Sequence, residues 1–282
     1  MIKFKYLIPF VLIFAVLFST ACSSAEKKPE VEVDEQKSNS YYQLGLAALR
    51  QGDYIKAKRE ISRAIEYAPH LPQYYNHLGL IFLLERDYAN AEKNFRKTLD
   101  VDKSYTDAHN NLGMLFLETG ELDKALEEFN TVLGDTMYPY PHYAETNIGA
   151  VYRLKRNYDE AKKHLDAALK MRGTHCEAYK QMGLLYDEQR LDDLALENYK
   201  KTLEYCSYNV EIIYRAAQKL YMKQKEKSAK TYLRRCLEVD AANRSQVSIP
   251  FLPECLDFAN QLGVILDEPK PDRPTQQIED AQ

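Results

Sequence analysis

The chain has 282 residues, with 38 Lys and Arg against 42 Asp and Glu for a formal charge of -4, and 45% hydrophobic residues that include 22 Tyr and no Trp. Its charges are mixed along the whole length and form no basic stripe, which argues against binding a phosphate backbone or presenting a polybasic membrane patch. Such a composition suits a helical body of ordinary size.

Lys3 and Lys5 open the chain, an apolar run extends from Tyr6 to Phe18, and Ser19-Thr20-Ala21 precedes Cys22. A bilayer span takes about 20 apolar residues. This run is shorter and is broken by Pro9, so residues 1–21 read as an export signal. Losing Lys3 and Lys5 with it takes the charge from -4 to -6. Ser19-Thr20-Ala21-Cys22 resembles the bacterial lipobox, although Ser19 stands where that family usually has Leu. The resemblance implies lipidation of Cys22 with diacylglyceryl and palmitate. Ser23, where an Asp would retain the protein, implies forwarding to the outer membrane of a Gram-negative cell, facing the periplasm. The other reading is an ordinary secretory cleavage that leaves Cys22 a free thiol. Residues 22–37, rich in Glu, Lys and Val, read as a solvated tether; fifteen residues reach at most about 50 Å.

Six pairs recur beyond it: Leu44-Gly45, Leu78-Gly79, Leu112-Gly113, Ile148-Gly149, Met182-Gly183 and Ala216-Ala217, spaced 34, 34, 36, 34 and 34 residues apart. Twelve residues after each small residue comes Ala57, Ala91, Ala125, Ala161, Ala195 or Ala229, and four further on Ile61, Phe95, Phe129, Leu165, Tyr199 or Leu233. Small residues at two facing positions let antiparallel helices approach to about 8–10 Å. Tyr41, Tyr75, Phe82, Phe116, Tyr152, Tyr179 and Tyr186 fill the space around each crossing. The pattern resembles the tetratricopeptide repeat. That implies an all-α fold, a right-handed superhelical solenoid of six helix pairs at 38–71, 72–105, 106–139, 142–175, 176–209 and 210–243. The two-residue insertion falls at Met137-Tyr138-Pro139-Tyr140-Pro141, either a loop extension or an aromatic contact site. A segment at 250–267, opened by Pro253, reads as a helix capping the stack or, alternatively, as a partner-binding helix. Residues 268–282, with three prolines, read as a disordered tail.

Five cysteines are an odd number, and acylating Cys22 leaves four. Cys176 opens a first helix and Cys206 ends its antiparallel partner. Cys236 ends the last second helix and Cys255 starts the cap. Adjacent ends predict disulfides Cys176-Cys206 and Cys236-Cys255, against the alternative of free buried thiols.

The concave face of such a stack is built from positions 2, 5, 6, 9, 12 and 13 of each first helix. The candidate protein-binding groove is therefore Tyr42, Leu46, Leu49, Asn76, His77, Leu80, Leu83, Asn110, Asn111, Met114, Leu117, Asn147 and Gln181. Apolar anchors beside side-chain amides suit a peptide. Lys180, Asp187, Glu188, Tyr214 and Arg215 make the far end more polar. The six histidines are scattered, and no zinc, phosphate-loop or nucleophile-elbow motif occurs. The expectation is a non-enzyme with no cofactor, no metal, no nucleic acid and no small-molecule substrate. Lipobox, tether and six repeats together resemble the type IV pilus pilotins of the PilF, PilW and Tgl group. That resemblance implies an outer-membrane lipoprotein that binds the pilus secretin and promotes its targeting and multimerisation. A general periplasmic scaffold for cell-wall enzymes or outer-membrane protein assembly is the alternative.

Overall fold

A computed structural model describes residues 30–242 and 249–265. The export signal, Cys22 and the tail at 268–282 lie outside these. The described residues form thirteen helices and no strand. Six antiparallel pairs come first: α1 (Glu30–Arg50) with α2 (Tyr54–Tyr67), α3 (Pro72–Leu84) with α4 (Tyr88–Val101), and α5 (Thr106–Thr119) with α6 (Leu122–Gly134). They continue with α7 (Pro141–Leu154) and α8 (Tyr158–Met171), α9 (Cys176–Glu188) and α10 (Asp192–Tyr205), α11 (Val210–Met222) and α12 (Glu226–Ala242). Each second helix packs on the next first helix, and α13 (Leu252–Gln261) closes the stack against α11 and α12. The result is the solenoid the repeat implied.

The crossing inside each pair rests on the glycine. A Cβ added at Gly79 would lie 2.7 Å from the Phe95 ring, one at Gly149 2.7 Å from Leu165, and one at Gly183 2.5 Å from Tyr199. The sequence spacing therefore brings together residues that share a contact closer than any side chain permits. Phe95, Leu165 and Tyr199 are wholly buried as a result.

The turns between paired helices share one backbone shape. Gly52, Arg86, Gly120, Arg156, Arg190 and Gln224 occupy the same repeat position, and all have φ between 58 and 81°. Only two of the six are glycine. Asp53, Asp87 and Asn157 then cap the following helix, accepting from the backbone N–H three residues on, as Asn209 does for α11 between repeats 5 and 6.

The tether expectation needs correction at its inner end, because α1 is helical from Glu30. The stretch after Pro29 contains neither Gly nor Pro to break a helix. Tertiary contacts hold it there: Glu35 lies 3.3 Å from Nε2 of His70, and Ser38, the first residue of repeat 1, is buried with its Oγ 3.1 Å from the Tyr74 hydroxyl.

At the other end α13 lays Phe258 edge-on against Tyr221 and Tyr214, with ring centroids at 5.6 and 6.2 Å. Cys236 is bonded to Cys255 there, and Cys176 to Cys206, with Cα separations of 6.2 and 6.0 Å. One bridge closes repeat 5, and the other ties α13 to repeat 6, where Ala217 replaces the crossing glycine.

Candidate protein-binding groove

The first helices α3, α5, α7 and α9 touch in succession and form one continuous face. Of the thirteen groove residues read from the sequence, ten are half-buried: His77, Leu80, Asn110, Met114, Leu117, Asn147 and Gln181 on this face, and Tyr42, Leu46 and Leu49 on α1. Asn76, Leu83 and Asn111 are set inside instead, at 5, 4 and 9% exposure. Asn111 Nδ2 donates to Asn76 Oδ1 at 2.9 Å, so these two amides tie α3 to α5. Leu83 belongs to the core around Phe95 and Phe116. A buried amide without its partner costs more than the bond returns, and that pairing removes both from the surface inventory.

Gln181 and His77 are also engaged. Gln181 accepts from Arg153 Nε at 3.2 Å and donates to Glu177 at 2.8 Å. Nδ1 of His77 lies 2.9 Å from the Gln73 carbonyl and 3.0 Å from the Tyr42 hydroxyl, so it serves one or the other according to tautomer. Burial, with Tyr105 and Tyr74 alongside, pushes the Tyr42 hydroxyl up to about 12. Asn110 Oδ1 is enclosed with no donor. The groove thus offers apolar surface more freely than amides.

That surface deepens into a cleft of about 410 Å³ between repeats 2 and 3, floored by Leu80, Leu83 and Met114 and walled by Leu84, Arg86, Tyr88 and Glu118. A second cleft of about 390 Å³ lies between repeats 4 and 5, lined by Arg153, Leu154, Arg156, Tyr158 and Glu188. Arg86, Tyr88, Arg156 and Tyr158 escaped the sequence reading, which stopped at the helix ends; aligning the six turns would have found them.

The polar end is self-satisfied. Lys219 pairs with Asp187 and with Asp192, Arg215 reaches Asp187 at 3.5 Å and Glu211 at 3.1 Å, and Tyr199 donates to Asp187 at 2.9 Å. Burial opposes the charge on Lys219, yet its hydrogen bonds to the two carboxylates outweigh that and raise its pKa. A cleft of about 430 Å³ opens there between α11 and Phe258. Among the described residues no three His, Cys, Asp or Glu side chains gather to hold a metal ion.

The inserted loop exposes Met137 at 87% and Tyr140 at 50%. Behind it His142 and His175 meet edge to face at 4.9 Å, and Nε2 of each is enclosed without a partner. Burial, with Arg172 nearby, lowers both, His175 to about 4. The folded corner therefore holds neutral imidazoles, the unfolded chain binds more protons, and stability here is lost as pH falls from 6.5 towards 4. His109 works in the opposite sense. Its Nδ1 lies 2.7 Å from Glu128, which raises its pKa, so its contribution is complete below 6.5 and disappears as pH climbs through the raised value. The melting temperature of the wild type is expected to drop between pH 6.5 and 4, and that of His175→Phe to drop less; parallel curves would remove the corner as the cause.

Tetratricopeptide-repeat family models match residues 42–100, 82–148 and 146–175. Among solved structures, Pseudomonas aeruginosa PilF superposes with a TM-score of 0.62 at 20% identity, over 81% of this chain and 99% of its own. PilW, described as a widely conserved type IV pilus biogenesis factor, gives 0.65 at 20% identity, over 78% and 99%. Cut9, solved with Hcn1 as an APC/C hetero-tetramer, gives 0.66 at 16% identity, over 83% of this chain and 44% of its own. No curated protein matches the sequence. At these identities the likeness carries the fold.

Proposed function

We propose, for a chain that is a solenoid of tetratricopeptide repeats, that it works as a pilotin: an outer-membrane lipoprotein that captures a segment of the type IV pilus secretin and promotes its targeting and multimerisation. The observation that supports this reading most is the open apolar face of the first helices, centred on Leu80, Leu84 and Met114. Leu84 is 51% exposed, an apolar side chain without cover. The pilus assignment draws on the likeness to PilW over 99% of that protein's length. In this reading acyl chains on Cys22 hold the stack beneath the membrane, two chains sufficing where one binds only reversibly. Tethering raises the local concentration of captured secretin segments and so favours their assembly.

The test is capture of the secretin from envelope extract by the purified protein. Leu80→Glu is expected to cut capture at least tenfold with the far-ultraviolet circular dichroism unchanged, since a carboxylate on the cleft floor loses its hydration when a partner covers it. Recovery of cell-wall enzymes and no secretin by the wild type would replace the pilus reading with that of a general envelope scaffold.

A further inference from the structure

The two groove clefts are copies of one design. Leu84, Arg86, Tyr88 and Glu118 wall the first, and Leu154, Arg156, Tyr158 and Glu188 wall the second, each residue 70 positions beyond its counterpart. That offset is two repeats plus the two-residue insertion. Leu84 and Leu154 are about equally exposed, at 51 and 47%. The floors differ: Arg153 takes the place of Leu83 and pairs with Glu188. Arg156 is then left as the uncommitted charge of the second cleft, as Arg86 is of the first, where Glu118 stands on the opposite wall without an ion pair. Neither side chain, among the described residues, has a hydrogen bond or ion pair.

These arginines also occupy an unfavourable backbone. Arg86 and Arg156 have φ of 61 and 59°, at the turn position where repeats 1 and 3 place Gly52 and Gly120. The left-handed region disfavours any residue with a Cβ. Arg190 and Gln224 hold the same conformation in repeats 5 and 6, so it is the cleft beside the turn, and not the strained turn alone, that singles out Arg86 and Arg156.

Resting on the groove as the binding face, we infer that the two clefts are paired anchor sites for one extended segment of a partner protein, each receiving an apolar side chain against leucine and tyrosine and a carboxylate at the arginine. The spacing follows from the stack. Adjacent first helices lie about 8–10 Å apart, so α3 and α7 are separated by roughly 16–20 Å. An extended chain advances about 3.3 Å per residue, which sets the anchors about six residues apart. A forked guanidinium suits a carboxylate in bidentate geometry.

A fluorescein-labelled peptide Leu-Glu-Gly-Ser-Gly-Ser-Leu-Glu, blocked at both ends, tests this by fluorescence anisotropy with the intact protein. It is expected to bind at least tenfold tighter than a peptide carrying one Leu-Glu pair, through the linked second contact. Shortening the spacer to one residue, or changing both Glu to Gln, is expected to reduce it to the one-pair level. Arg86→Gly and Arg156→Gly should each do the same, and both keep the fold because glycine relieves the left-handed turn. Binding that ignores spacer length, carboxylates or both arginines overturns the proposal, as does no binding at all. Intact secretin capture with no peptide selectivity would sink the paired anchors alone. Peptide selectivity without secretin capture would sink the pilus reading alone.

Discussion

Gly113→Val is expected to lower the stability of the stack by roughly 3 kcal/mol, the upper part of the range for overpacking a filled core. A Cβ at Gly113 would come within 2.5, 2.7 and 2.8 Å of three atoms of the Phe129 ring, which is wholly buried in the core between repeats. Two effects compete in Gly113→Ala. Alanine gains about 1 kcal/mol of helix propensity, while the ring must move in a core with no spare volume, at about 1–3 kcal/mol. The clash wins, and a net loss of about 1 kcal/mol is expected. In repeat 6 Ala217 takes the glycine's place and Leu233 the ring's, and both are wholly buried in one core. Phe129→Leu should accordingly cost less in the Gly113→Ala background than in the wild type. Urea titration followed by circular dichroism measures all four proteins. A gain in stability for Gly113→Ala would mean that the helices cross further apart than described.

Removing both cysteines of either bridge is expected to produce a comparable loss. The bond between Cys176 and Cys206 closes 30 residues, and that between Cys236 and Cys255 closes 19. Chain entropy assigns such loops about 4 and about 3 kcal/mol. The effects should differ in place. Cys176→Ser with Cys206→Ser loosens one helix pair held on both sides by neighbours. Cys236→Ser with Cys255→Ser frees α13, whose covering of α11 depends on Phe258, Cys255 and Leu252. Amide exchange should therefore accelerate throughout α13 and α11 in the second variant while α1 to α6 keep wild-type rates, as expected where each unit touches only its neighbours. Peptide mapping of the unreduced protein that finds any other linkage would refute both expectations.

The repeat register was legible because its signal is local and physical. A residue with no Cβ, a small residue twelve further and a bulky one four beyond that can be satisfied only by two helices crossing at that point. Side-chain direction around each helix was less legible. Asn76 and Asn111 stand at successive groove positions of neighbouring repeats, yet they bond to each other, because two amides on touching helices find a partner without water. The start of α1 escaped for a related reason: alternating Glu, Lys and Val reads as a solvated linker, and the partners of Glu35 and Ser38, His70 and Tyr74, lie 35 and 36 residues further on. Glu85-Arg86-Asp87 carries no signal of its own that its central residue adopts a glycine's backbone beside a cleft; only its alignment with Gly52 and Gly120 in the neighbouring repeats reveals it.

The early start of α1 also shortens the leash. Were residues 22–37 all extended, the first repeat could stand about 50 Å from an anchor on Cys22, whereas the eight peptide units between Cys22 and Glu30 span at most about 28 Å and the helical residues 30–37 add only about 12 Å. With Cys22 lipidated, the first two turns of α1 become a rigid stalk in place of slack rope. The stack could then swing about its root but not drift from the bilayer, and whatever occupies its groove would be sampled from a shallow layer beneath the lipid.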